Sequence, residues 1–184
     1  SRHEYQVRRE EQCSLNSQRV RVAVNGYGVI GKRVADAIRL QPDMDLVGVS
    51  DIVTDYRLRT AAVLDIPIYA ALREQAGAME AAGIPLIGTL ADLLSQVDLV
   101  ADCTPKGIAA KNLERYRAAG IKAVFQGGEH HELTGHSFVA QANYASVCGH
   151  DATRVVSCNT TSIVRTLTAL RDAALLRKAR GVLI

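Results

Sequence analysis

Val20-Arg21-Val22-Ala23-Val24-Asn25-Gly26-Tyr27-Gly28-Val29-Ile30-Gly31-Lys32-Arg33-Val34 decides the fold of this chain. Val20, Val22 and Val24 alternate with other residues and stop at a glycine turn, the pattern of a short strand. Beyond the turn, apolar residues recur at Ile30, Val34, Ala37 and Ile38, the spacing of one helix face. Gly26, Gly28 and Gly31 thus have G-x-G-x-x-G spacing between a strand and a helix, the context that dinucleotide binding requires. Gly26 permits the tight turn, a side chain at Gly28 would block a pyrophosphate, and Gly31 lets the helix close on the strand. The helix N-terminus then offers N–H groups and a partial positive charge to phosphate oxygens. The other reading is a glycine turn with no ligand. The strand–turn–helix context favours the dinucleotide.

A second apolar strand over residues 46–51 ends in Asp51, twenty residues past Gly31. A carboxylate there accepts hydrogen bonds from the adenosine ribose and repels a 2′-phosphate, so NAD is expected in preference to NADP. Helices are expected over 54–63, 71–82 (stopped by Gly83) and 90–94, with extended pieces at 66–69 and 86–89. A strand over 97–103 feeds the loop Thr104-Pro105-Lys106-Gly107, and a helix over 108–119 closes at Gly120. The next strand, 121–125, ends in the turn Gln126-Gly127-Gly128-Glu129. Such alternation demands an α/β fold, a doubly wound, Rossmann-like parallel sheet with helices on both faces. Ligands of these sheets bind at the C-terminal strand ends. The turns at 26–31, 51, 104–107 and 126–129 would gather there, and Thr104 is counted among the cofactor contacts.

With 184 residues, 48% hydrophobic and 22% charged, the chain can bury a full core of ordinary domain size. A net charge of +3, no tryptophan and 4% aromatics argue against a nucleic-acid partner. No apolar run is long enough to span a bilayer, and the charged N-terminal residues are unlike a signal peptide. Cys13, Cys103, Cys148 and Cys158 form no C-x-x-C pair, so they read as reduced thiols of a cytoplasmic protein. His130 and His131 are adjacent and would point to opposite faces of a strand, a poor chelate, so no metal site is expected. Residues 1–19 are polar and show no apolar face; they read as an extension.

Arg154 to Ser157 forms a short strand, followed by Cys158-Asn159-Thr160-Thr161-Ser162 and a helical run over 161–177. A cysteine at a strand–helix junction sits beside unpaired N–H groups, which favour the thiolate and can stabilise an oxyanion formed by its attack on a carbonyl. The other reading is a small buried cysteine near a helix cap made by Asn159 or a threonine. Cys103 lies in an apolar strand and Cys148, before Gly149, reads as a packing residue.

Together these segments resemble the archaeal-type (type II) phosphorylating glyceraldehyde-3-phosphate dehydrogenase family. The resemblance is carried by Asn25-Gly26-Tyr27-Gly28-Val29-Ile30-Gly31-Lys32-Arg33-Val34-Ala35-Asp36-Ala37, Phe125-Gln126-Gly127-Gly128-Glu129, Ala142-Asn143-Tyr144 and Arg154-Val155-Val156-Ser157-Cys158-Asn159-Thr160-Thr161. It runs from about Val20 to the last residue. It implies that Cys158 attacks the aldehyde of glyceraldehyde 3-phosphate, that hydride loss leaves a thioester, and that inorganic phosphate releases 1,3-bisphosphoglycerate. It further implies that Val29, Ile30 and Gly128 lie against the cofactor, that Ser157 and Asn159 flank the substrate, and that the protein is a homotetramer. Family members often carry lysine where Asp51 stands and many use NADP, so aspartate here disfavours NADP. They also continue with most of a catalytic domain that supplies a histidine base. None of His130, His131, His136 or His150 matches that base. The expected organisation is therefore an extension (1–19), a dinucleotide-binding domain (20–157), and a nucleophile helix with the start of a largely missing catalytic domain (158–184). Two other classes stay open: a non-catalytic NAD-binding or interaction module, and another thiolate-using semialdehyde dehydrogenase.

Overall fold

The structure is a computed structural model, and it describes residues 19–126 and 128–182. The expected extension (but for Arg19), Cys13, Gly127 and the last two residues lie outside the described residues. The chain divides into two compact units after Ala101.

The first unit is built on parallel pairing. β1 (Val20–Asn25) pairs with β2 (Met44–Asp51), β2 with β3 (Ile68–Ala70), and β3 with β4 (Leu86–Thr89). The chain then returns to the other side of β1, where β5 (Leu99–Asp102) begins. Arg21 and Asp98 fix that register: Asp98 N donates to Arg21 O at 2.8 Å, and the Arg21 guanidinium meets the Asp98 carboxylate at 2.7 Å. α1 (Val29–Arg39) follows β1, α2 (Tyr56–Val63) follows β2, and α3 (Ala76–Ala81) follows β3. α4 (Leu90–Leu94) follows β4 and packs across β1 to β4. The β1–β5 neighbourhood is thus the switch point, where ligands of open α/β sheets bind. Val22, Val24, Val49, Leu58, Ile68 and Leu93 are fully buried between the layers. Each such side chain contributes about 1.5–3 kcal/mol relative to exposure.

In the second unit, β6 (Lys122–Phe125) pairs in parallel with β8 (Ala152–Val155), and β8 with β7 (Ser137–Phe138). α5 (Ala109–Ala118) precedes β6 and packs Tyr116 on Phe125, with ring centroids 6.1 Å apart. A short α6 (Ala140–Asn143) lies between β7 and β8, and α7 (Cys158–Asp172) follows β8.

Five expectations change, the first being the short strand expected over 154–157, which is β8 at Ala152–Val155 and leaves Ser157 to cap the next helix. The expected 71–82 helix is a 3₁₀ turn at Arg73–Gln75 followed by α3, because Leu72 is still extended (φ −125°, ψ 128°). The strand expected over 97–103 is shorter, so Cys103 lies just past its end. The expected 161–177 helix begins earlier, at Cys158, and stops at Asp172. The Ser157 hydroxyl caps its start, and Ala174 adopts a left-handed φ of 58° just past its end. Cys148 is exposed, not packed, since the 3₁₀ turn Tyr144–Val147 leaves it on the surface.

Candidate functional site

The glycine loop leaves β1 through Gly26, whose φ of +93° a residue with a Cβ rarely adopts. Gly26 N donates to Ser50 O at 2.7 Å, and the Ser50 hydroxyl donates to Asn25 Oδ1 at 2.9 Å. The ends of β1 and β2 are thereby tied where the loop starts. Gly28 is the N-cap of α1 and supplies no side-chain cap. A Cβ built on Gly28 meets nothing within 4 Å, whereas one on Gly31 would lie 1.9 Å from Gly26 O. Gly26 therefore makes the turn and Gly31 the close helix–turn contact that their spacing suggests, and the space beside Gly28 is open. Val29 and Ile30, in the first turn of α1, are 71% and 51% exposed, an unusual surface for such residues beside a buried core.

Asp51 closes this site from β2. It is nearly buried; its Oδ2 accepts from Tyr27 N at 2.7 Å and its Oδ1 from Ile52 N at 2.7 Å. The carboxylate thus latches the glycine loop, a role the sequence spacing did not disclose. Each carboxylate oxygen has two lone pairs, so capacity for a ribose hydroxyl remains.

In the second unit, Asp102 is 1% exposed, and its carboxylate is fully engaged. Oδ1 accepts from Thr104 N (3.0 Å) and from the Thr104 hydroxyl (2.6 Å); Oδ2 accepts from Asn112 Nδ2 (2.8 Å) and Tyr116 Oη (2.7 Å). Thr104 is therefore held to α5 at the start of its loop. The other end of that loop is held by Glu129, whose Oε1 accepts from Gly107 N at 2.8 Å. Glu129 O accepts from Arg154 Nη1 at 2.7 Å, and Arg154 Nε donates to the Ser137 hydroxyl at 2.9 Å. So the loop at 104–107, the turn containing Gly128 (φ +73°) and strand β8 form one connected polar frame. Sequence reasoning missed this frame. Its signal was Asn112 and Tyr116, four apart on one helix face behind a strand-end aspartate.

β8 delivers the chain to Ser157 and Cys158. Cys158 is the first residue of α7 and is exposed, as are Ser157 and Asn159. The cap is Ser157, not Asn159 or a threonine: its hydroxyl accepts from Thr160 N at 3.3 Å and lies 2.9 Å from Thr160 Oγ1. The Thr160 N–H expected to be unpaired therefore has a partner. Cys103 is a different thiol: burial, aided by the Asp102 charge, pushes its pKa up to about 12. It is no nucleophile near neutral pH.

His136 is buried, with Nδ1 2.6 Å from Thr153 Oγ1 and Nε2 2.9 Å from Ser146 Oγ, and its ring stacks on His150 at 4.4 Å. Burial first, and then His150 and His131, lower its pKa. Among the described residues there is no cluster of three or more metal-ligating side chains, and no helix long and apolar enough to cross a membrane.

The sequence matches the family described as "Dihydrodipicolinate reductase, N-terminus" over residues 20–133. It is 50% identical over 163 residues to glyceraldehyde-3-phosphate dehydrogenase of Methanothermus fervidus, covering 89% of this chain and 48% of that protein. It is 53% identical over 156 residues to the enzyme of the same name from Pyrococcus abyssi, covering 85% of this chain and 47% of that protein. The chain spans about half the length of the curated relatives it matches. Among solved structures, apo scyllo-inositol dehydrogenase from Lactobacillus casei is similar with a TM-score of 0.46 and 15% identity, covering 76% of this chain and 37% of that one.

Proposed function

The chain belongs to the dihydrodipicolinate reductase N-terminus family, and from its identity with half of the archaeal glyceraldehyde-3-phosphate dehydrogenases we propose that it is the cofactor-binding and nucleophile-bearing part of such an enzyme. The glycine loop suits a dinucleotide. Its cradle at Gly28 is open where a pyrophosphate needs room, and Asp51 stands at the end of β2 where a ribose needs an acceptor. NAD, when bound, supplies the hydride acceptor; Asp51 makes it the preferred cofactor over NADP. Val29, Ile30, Thr104 and Gly128 are the further cofactor contacts of this reading.

The single observation that carries the chemistry is the placement of Cys158. It is exposed at the first position of a 15-residue helix, in a sequence half identical to enzymes of this name. Peptide N–H groups at a helix start stabilise a thiolate, and they stabilise the oxyanion that forms when the thiolate adds to an aldehyde carbon. Loss of hydride from that adduct leaves a thioester on Cys158, and attack by inorganic phosphate releases the acyl phosphate and regenerates the thiolate. Ser157 holds the helix start in place, and Asn159 flanks the substrate. By the same kinship the protein is a homo-oligomer whose substrates are glyceraldehyde 3-phosphate and phosphate, and its place is the cytoplasm.

The test is phosphate-dependent NADH formation from glyceraldehyde 3-phosphate by the protein as its gene encodes it. Cys158→Ser is expected to abolish turnover while keeping NAD affinity. NAD binding without any phosphate-dependent turnover would support a non-catalytic cofactor-binding module. Turnover of a different semialdehyde alone would move the protein to another thiolate-using class.

A further inference from the structure

Tyr56 is 71% exposed, although it opens α2 immediately beyond the loop that follows Asp51. Its backbone is fixed. Asp55 caps α2 by accepting from Arg57 N and holds the Arg57 guanidinium at 2.6 Å, and Tyr56 O accepts from the Thr60 hydroxyl at 2.9 Å. Its ring has a partner on the glycine-loop helix. The Lys32 ammonium, in the first turn of α1, lies 4.9 Å from the Tyr56 ring centroid and 5.9 Å from that of Tyr27. Cation–π attraction at these distances holds the ring toward the glycine-loop helix. Tyr27 is in turn the residue whose N–H the Asp51 carboxylate accepts. Ile52, the residue after Asp51, is 47% exposed.

If the pyrophosphate of a dinucleotide lies at Gly28 and its ribose at Asp51, the base extends beyond the ribose, and residues 52–56 are the chain that leaves Asp51 and leads to α2. A flat aromatic face open to solvent, on a backbone held by the α2 cap, suits a purine, because base–aromatic stacking needs no hydrogen-bond pattern, only a π-face. We propose that Tyr56 is the platform on which the adenine of the bound dinucleotide stacks, with Lys32 as the residue that positions its ring. This inference rests on the cofactor site proposed above and adds to it a binding residue that the fingerprint does not contain.

The test titrates the full chain and its Tyr56→Ala and Tyr56→Phe variants with NAD, AMP and nicotinamide mononucleotide by calorimetry. Thermal melts establish that the variants are folded; an exposed first-turn residue is not needed for the core. Tyr56→Ala is expected to weaken NAD and AMP by a common factor of roughly ten or more, with nicotinamide mononucleotide unchanged. Tyr56→Phe, which keeps the π-face, is expected to bind like the parent. Saturation-transfer NMR should show the adenine H2 and H8 protons losing magnetisation transfer in Tyr56→Ala. Equal NAD and AMP affinity in the parent and Tyr56→Ala overturns the stacking role while leaving the cofactor site standing. Failure of the parent to bind either ligand overturns the cofactor site and the stacking with it.

Discussion

Replacing Gly31 by alanine tests the closeness of α1 to the glycine turn, and Gly28→Ala is its control. A Cβ on Gly31 would sit 1.9 Å from Gly26 O and 2.9 Å from Gly26 C, when real Cβ atoms essentially never come within 3.0 Å of a neighbour. The helix must therefore retreat by at least 1.1 Å, the shortfall of 1.9 Å from 3.0 Å. The obstacle is backbone held by the Gly26–Ser50 hydrogen bond, so it has no rotamer by which to yield. Overpacking of this kind costs about 1–3 kcal/mol. Alanine returns about 1 kcal/mol through helix propensity and a stiffer unfolded chain. Because backbone meets backbone, the upper part of the range applies, and a net loss of about 2 kcal/mol is expected. With a urea m-value of about 2 kcal/mol/M, the unfolding midpoint falls by about 1 M. Gly28 has φ −76° and open space around its Cβ, so Gly28→Ala should leave the midpoint unchanged and lose NAD affinity instead. Urea titration followed by circular dichroism, beside calorimetric NAD titration, separates the two outcomes. A Gly31→Ala chain as stable as the parent would refute the packing argument. A Gly28→Ala chain that binds NAD normally would refute the cradle.

Asp51→Asn keeps the side-chain shape but removes the charge that accepts from Tyr27 N and Ile52 N; NAD affinity is expected to fall by roughly tenfold in titration, about 1.4 kcal/mol, with little gain for NADP. Cys158 should react with iodoacetamide in the native chain at neutral pH while Cys103 stays unlabelled until urea unfolds it, since burial holds that thiol at about 12; mass spectrometry of the labelled peptides decides. His136 has a folded pKa below its ordinary 6.5, so its neutral form is preferred in the fold. Stability from this group is therefore complete above pH 6.5 and is lost as pH falls through the lower folded value; a His136→Gln chain should show a flatter melting-temperature profile over that acid range.

The alternation of strands and helices was legible because it depends on local periods, and the glycine spacing because backbone sterics are local as well. The start of α7 was less so. Cys158, Asn159, Thr160 and Thr161 are mediocre helix formers, and propensity alone delays the helix to Thr161; the Ser157 cap overrides it and draws Cys158 into the first turn. Its end was hidden for a similar reason: Ala174, not a glycine, takes the left-handed conformation. Asp102 could be read as a strand end but not as the hub of a frame, since its partners Asn112 and Tyr116 come from the following helix. Tyr56 gave no signal at all, because inside a helix expected over 54–63 nothing marks it as exposed.

Asp51 shows how spacing can suggest one role for a residue while the fold gives it a second. Spacing predicts an acceptor for the ribose and, from its charge alone, an electrostatic penalty for a 2′-phosphate. The structure adds a covalently distant duty: the same carboxylate holds Tyr27 N, one residue before Gly28. Loop geometry and the proposed ribose contact therefore rest on one group. A lysine there would remove the repulsion but also the acceptor that holds the loop, and its ammonium would face the Tyr27 N–H as a donor against a donor. Cofactor choice at this position is thus not a matter of charge alone. A chain that accepts a 2′-phosphate here must fasten its glycine loop by another acceptor, and the surroundings of Tyr27 N are where that acceptor has to stand.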